Sequence, residues 1–180
     1  YTHTLEADYP INISFVQGPS TPQISVETRG DLYLQGNMTS PDAGAIRLIS
    51  DTGSITAPET VAIFGANLTL SAGNSVRLNV EGNTGALNVT AGHDIQIQAV
   101  SLDNQSSFLV VGNIVTTGSD IILIAPNGIE AVDPNAVIRG NRVELYARRG
   151  GIGSASQPLR IDSNTDGTGG LAARAINDIY

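Results

Sequence analysis

The 180-residue chain has no cysteine, no tryptophan and no lysine. Without cysteine there is no disulfide framework and no thiolate metal site. With aromatics at only 4% of residues, a core has to be filled by Ile, Leu, Val and Ala. All nine basic residues are arginines, set against 17 acids for a net charge of −8. A chain so short of positive charge has no basic footprint for a nucleic acid and little attraction to an anionic membrane surface. No run of 18 apolar residues exists, so membrane insertion is not expected. No 11-residue window carries a 3.6-residue apolar period, so little or no helix is expected. Nothing points to a cofactor. The chain opens on Tyr1 with neither an initiator Met nor a signal peptide, which suits a piece of a longer protein.

What is present is alternation. Leu32/Leu34, Ile46/Leu48, Leu68/Leu70, Val76/Leu78/Val80, Leu87/Val89, Ile95/Ile97, Ile121/Leu123 and Val143/Leu145 are apolar at every second position. Period two is the signature of short strands with one face turned inward. Turn-forming Gly, Asn, Asp, Pro and Ser separate them, and glycine is plentiful at 20 residues. A longer string also recurs: apolar, any, apolar, any, Ala or Ser, a turn, then Gly and Ile. It reads Ile46-Arg47-Leu48-Ile49-Ser50 to Gly53-Ser54-Ile55, Ile121-Ile122-Leu123-Ile124-Ala125 to Gly128-Ile129, and Val143-Glu144-Leu145-Tyr146-Ala147 to Gly151-Ile152.

A fixed unit of this size indicates stacking rather than a globular fold. The central strands beginning at Ile46, Leu68, Ile95, Ile121 and Val143 stand 22, 27, 26 and 22 residues apart. One coil cannot bury its own apolar face, but stacked coils can. The expected fold is all-β, a right-handed parallel β-helix of seven to eight coils with three short strands per coil. At about 4.8 Å per coil it would make a rod of about 35 Å. The small residue closing each strand (Ser50, Ala72, Ala91, Ala99, Ala125, Ala147) fits a corner where a large side chain would clash. An antiparallel sandwich explains the alternation but not the unit length or the recurring small residue. The chain reads as a single segment over 1–180, with an irregular first coil over 1–28 and a loop at 163–170.

Several strings carry a family resemblance: Gly30-Asp31-Leu32-Tyr33-Leu34, the Gly-Asn pairs at 36–37 and 112–113, Gly53-Ser54-Ile55, and Gly150-Gly151-Ile152-Gly153 running into Pro158-Leu159-Arg160-Ile161. Over about residues 28–180 the chain resembles filamentous-haemagglutinin-like large bacterial adhesins. The resemblance implies a secreted or surface-displayed shaft, with a partner that is an unidentified surface receptor or glycan. No enzymatic activity is expected. The runner-up is a carbohydrate-active β-helix, either lyase- or hydrolase-like or a glycan-binding module. The scarcity of aromatic rings for sugar stacking counts against it.

Five groups of residues are candidates for chemistry. Arg29-Gly30-Asp31 is the tripeptide that engages integrins when displayed on a loop tip, but here Gly30-Asp31 opens a strand of the repeat and scaffold is the simpler reading. Asp94 and Asp120 precede their central strands at the position of Asn67 and Arg142. Stacked acids could form a polysaccharide-cleaving site, though the mixture at that position looks like a solvated turn ladder. Asp162, Asn164 and Asp166 could offer oxygen ligands to calcium, against the simpler reading of a surface loop. His3 and His93 are the only histidines and form no recognisable zinc pattern. Finally, Tyr33, Ile49, Ile122, Ile124 and Tyr146 face outward. If their coils align, Ile122 and Ile124 lie near Tyr146 in an apolar strip that is either a binding surface or, slightly favoured, the seat of a packed loop. Thr69 and Thr90 do not recur as an ice-binding array would require.

Overall fold

The computed structural model describes residues 5–6, 12–17, 22–40, 44–83, 85–100 and 107–180. Among them every regular element is a strand, and no helix is long and apolar enough to cross a membrane. The strands form two sheets. Sheet 1 holds β1 (Leu5–Glu6), β4 (Leu32–Leu34), β5 (Met38–Thr39), β7 (Ile55–Thr56), β8 (Ala62–Phe64), β10 (Val76–Glu81), β12 (Ile95–Val100), β14 (Ile121–Ala125), β17 (Arg142–Ala147) and β19 (Gly170–Ala175). Sheet 2 holds β2 (Asn12–Gln17), β3 (Pro22–Thr28), β6 (Ala45–Ser50), β9 (Leu68–Ala72), β11 (Leu87–Ala91), β13 (Leu109–Thr116), β15 (Ile129–Ala131), β16 (Val137–Arg139) and β18 (Arg160–Asp162). The chain passes back and forth between the sheets, and from β3 onward each strand pairs in parallel with one a turn away. The molecule is a parallel β-solenoid.

Two apolar columns give the turn count. In sheet 1, Leu32, Ile55, Val76, Ile95, Ile121, Val143 and Leu171 are successive register partners, six steps in all. In sheet 2, Val26, Leu48, Leu70, Val89, Ile114, Ile138 and Ile161 make the same six steps. Six turns advance about 29 Å along the axis. This corrects the expected seven to eight coils, for two reasons. β1 and β2 fold back antiparallel on β4 and β3 and add no turn. The turn length also varies, from 19 residues between Val76 and Ile95 to 28 between Val143 and Leu171. β3 already runs parallel to β6, so the antiparallel pairing is confined to β1 and β2.

The expected register needs a second correction. Ile46 and Leu68 belong to sheet 2, whereas Ile95, Ile121 and Val143 belong to sheet 1. The apparent repeat from Leu68 to Ile95 therefore crosses from one sheet to the other. The strings are alike because strands of both sheets end in a small buried residue. Thr28, Ser50, Ala72, Ala91 and Thr116 stack at the end of sheet 2, and Ala125, Ala147 and Ala175 at the end of sheet 1. The third strand expected in every coil is present only as the short pieces β5, β8 and β15, with Ile129, Ile152 and Ile179 pairing in succession.

The core lies between the sheets and is aliphatic from end to end. Leu32, Ile46, Leu48, Ile55, Leu68, Ile97, Leu123 and Leu145 are wholly buried. Burying such a side chain is worth roughly 1.5–3 kcal/mol, so stacking supplies what no single turn can. At the bend after sheet 2 the backbones of successive turns approach too closely for a side chain. A Cβ on Gly92 would run into the Gly73 carbonyl oxygen, and one on Gly73 into that of Asp51. Only glycine allows that approach.

Polar side chains tie the turns together outside the core. Asn37 Oδ1 accepts the Ala62 N–H at 3.0 Å, Asn67 Oδ1 the Ala86 N–H at 3.1 Å, and Asn88 Oδ1 the Asn113 N–H at 2.9 Å. Each side chain reaches one turn onward to bond a backbone N–H, those of Ala62 and Asn113 lying in strands and that of Ala86 just before one.

Candidate functional site

The outward face of sheet 1 changes character along the axis. One outward column reads Tyr33, Thr56, Arg77, Gln96, Ile122, Glu144 and Ala172. The other reads Asn79, Gln98, Ile124, Tyr146 and Arg174. The second column starts polar, turns apolar at Ile124 and Tyr146, and becomes basic at Arg174. Ile124 and Tyr146 are direct register partners, so the structure brings together the strip expected from the sequence, with Ile122 one column over. Tyr33 lies at the far end of its column. Ile49 is on the opposite sheet, between Glu27 and Ser71.

Around Ile124 and Tyr146 the surface is concave. A groove of about 480 Å³ is lined by these two residues with Ala147, Arg148, Arg174, Ala175 and Ile176. That volume falls within the usual range for small-ligand sites. Its lining is mainly apolar, with Arg148 and Arg174 among the lining residues. The Tyr146 ring is held in place, because its hydroxyl donates to Glu144 Oε2 at 2.8 Å. Glu144 in turn pairs with Arg142. The hydrogen bond to Glu144, with the carboxylate's charge, raises the Tyr146 pKa above its ordinary value and keeps the phenol protonated.

Arg148, Arg174 and Ile176 escaped the sequence reading. The alternation of Gly170-Leu171-Ala172-Ala173-Arg174-Ala175 was the available signal, since it turns Arg174 outward. Bringing Arg174 beside Tyr146 needs the register of a 28-residue turn.

The other candidates are parts of the scaffold. Asp31 Oδ1 accepts the Ser54 N–H at 2.7 Å, and the buried Gly30 offers its carbonyl to the Ser50 hydroxyl at 2.7 Å. A Cβ on Gly53 would press against the Asp31 backbone, so Arg29-Gly30-Asp31 is clasped by the next turn and not carried on a loop tip. Asp94 and Asp120 lie on consecutive rungs, and Asp94 Oδ1 accepts the Asp120 N–H at 3.2 Å. Arg142 occupies the next rung, paired with Glu144. Asn67 lies in the bend before β9 of sheet 2, away from this column. The stack Asp31, Ser54, Ser75, Asp94, Asp120 is a bend ladder in which side chains bond backbone N–H groups of the following turn.

In the 163–170 loop each oxygen candidate has its own partner. Asp162 Oδ2 meets the Arg139 Nε–H at 2.7 Å, and Asn164 Oδ1 accepts the Gly169 N–H at 2.9 Å. Asp166 Oδ1 accepts the N–H and the hydroxyl of Thr168, at 2.8 and 2.7 Å. The Thr168 hydrogen bonds lower the Asp166 pKa. Among the described residues no three of His, Cys, Asp and Glu gather as metal ligands. His93 is exposed in a bend, its N–H bonded to the Asn74 carbonyl at 3.0 Å, and His3 lies outside the described residues.

No protein-family model, curated protein or solved structure matches this chain. The groove therefore has to be interpreted from its own chemistry.

Proposed function

We propose that the protein is a structural and interaction segment, the rigid β-solenoid shaft of a secreted or surface-displayed bacterial adhesin of the filamentous-haemagglutinin-like kind. The observation that carries the reading is the pair of apolar columns running unbroken through six turns. Continuous parallel ladders around a mainly aliphatic core favour a mechanical role, because each added turn lengthens the rod without changing its cross-section. The shared Gly-Asp, Gly-Asn and Gly-Ile strings support the adhesin assignment.

The shaft reading is tested by removing one turn. Leu68 and Leu87 are register partners, so deleting residues 68–86 excises a complete coil and seats β11 on β6. The shortened chain is expected to fold cooperatively with unchanged β-sheet circular dichroism. Loss of folding would show that the turns are not interchangeable spacers. The adhesin reading is tested with antibodies against the purified protein, which should label intact producing cells or their culture medium. Label appearing only after the cells are permeabilised would overturn it.

The carbohydrate-active alternative draws support from one feature, the groove at Tyr146. In its lyase- or hydrolase-like form it would rest on Asp94 and Asp120, and Asp94 is engaged in the bend ladder.

A further inference from the structure

We propose that the groove at Ile124 and Tyr146 is a binding site for a saccharide bearing a carboxylate, the acid group held by Arg148 and Arg174. The site is independent of the shaft reading, since a groove of this kind would function on any rod.

Three observations converge. The first is charge. The chain carries nine arginines against 17 acids, yet two of the nine line this one groove. Arg47, Arg139 and Arg142 each have a carboxylate partner within 4 Å, in Glu27, Asp162 and Glu144. The guanidinium groups of Arg148 and Arg174 have no ion-pair or hydrogen-bond partner among the described residues, which is also true of Arg29, Arg77, Arg149 and Arg160. The one acid beside the groove, Glu144, is already matched by Arg142 and by the Tyr146 hydroxyl. Two uncommitted guanidinium groups on an acidic protein are complementary to an anion, and their planar donor fork fits a carboxylate.

The second observation is the floor. Ile124, Tyr146 and Ile176 present an apolar surface, and the ring of Tyr146 is fixed by its bond to Glu144. A sugar ring has an apolar face that packs on such a floor and a polar rim that points to the walls. The few rings in this chain limit sugar stacking elsewhere, but this groove has one, already oriented.

The third observation separates a saccharide from an acidic peptide. Of the strands under the groove, β14 and β17 are paired on both sides, and β19, which supplies Arg174, pairs on one side only among the described strands. The β14 and β17 backbone groups are committed to the ladder, so a peptide over Ile124 and Tyr146 would find no main-chain partners there. An extended peptide would instead pair along the outer edge of β19.

The experiment is a titration of the intact chain followed by NMR or calorimetry, using sialyllactose and a galacturonic acid trimer as acidic probes. Lactose is the neutral control and a poly-glutamate peptide the competitor class. Both acidic saccharides should bind, with affinity falling as salt is raised, and lactose should not. Arg148→Gln with Arg174→Gln should weaken binding by about tenfold or more, and Tyr146→Ala should also weaken it. Arg77→Gln, on an early rung of the same sheet, should leave binding unchanged. Circular dichroism of each variant establishes that the fold is intact. Equal binding of lactose, indifference to the double arginine substitution, or no binding of either acidic saccharide at millimolar concentration would each overturn the proposal. Binding of the poly-glutamate peptide alone would also overturn it and would point to the β19 edge.

Discussion

Leu32 and Leu171 occupy the same column of the same sheet, six turns apart, and share a side-chain type and an inward position. Leu32 is wholly buried, whereas Leu171 is 52% exposed. The difference is what lies next to each. Antiparallel β1 pairs with β4 at the first turn, while no described strand stacks beyond β19, and Ile176, Ile179 and Tyr180 are exposed with it. Burial in this fold is thus conferred by the neighbouring turn. The same leucine is a core residue at one end and surface at the other.

The sharpest way to break the comparison is to truncate both leucines. Leu32→Ala should cost about 3 kcal/mol, as expected for a buried leucine whose cavity cannot collapse. Leu171→Ala should cost about 1 kcal/mol or less, in proportion to the area it buries. Urea denaturation of the two variants decides the matter, and equal costs would mean that the last turn is covered in solution. Between the two ends, Gly92→Val should cost about 2–3 kcal/mol, because the new side chain meets the Gly73 carbonyl of the preceding turn. A variant as stable as the parent would show that the bend can open.

A smaller effect is expected at the polar rungs. Asn67→Ala removes the acceptor of the Ala86 N–H and should cost about 1 kcal/mol. Hydrogen exchange should show the loss locally, with faster exchange at Ala86 and unchanged protection in β17. Smallest of all is a pH effect confined to the last turn. The carboxyl of Asp166 is held below its ordinary pKa by Thr168, so its stabilising contribution is present above the unfolded pKa. It is lost as pH falls through the folded value. Asp166→Asn should flatten the acid limb of the stability curve slightly, and an identical limb would show that the loop bond is not kept in solution.

Much of this architecture was legible in the sequence because alternation reports directly on which side chains turn inward. Leu34, Leu48, Leu70, Val89, Ile97, Leu123 and Leu145 were all expected inside and all are buried. The phase between the two sheets was not legible, because strands on both end in the same small residue before the same glycine bend. Ser50 and Ala125 look equivalent as text but stack in different columns. The candidate groove was half legible. Ile124 and Tyr146 stand 22 residues apart in turns of near-average length, whereas Arg174 joins them across the longest turn. The bridging roles of Asn37 and Asn67 left only the trace of a polar residue just before a strand, which any turn would leave, and Asn88 reads as an ordinary polar position within β11.

The direction of the ladder hydrogen bonds has a mechanical consequence. In a parallel solenoid these bonds run along the axis, while the chain itself runs across it. Tension applied between the two chain ends therefore meets the bonds of one rung at a time, as in peeling tape, instead of shearing all rungs together. Each detachment would release 19 to 28 residues of slack, or about 65–95 Å at about 3.4 Å per residue. The unequal turn lengths would then act as a built-in ruler, and the order of step sizes in a force trace would read back the order of the turns.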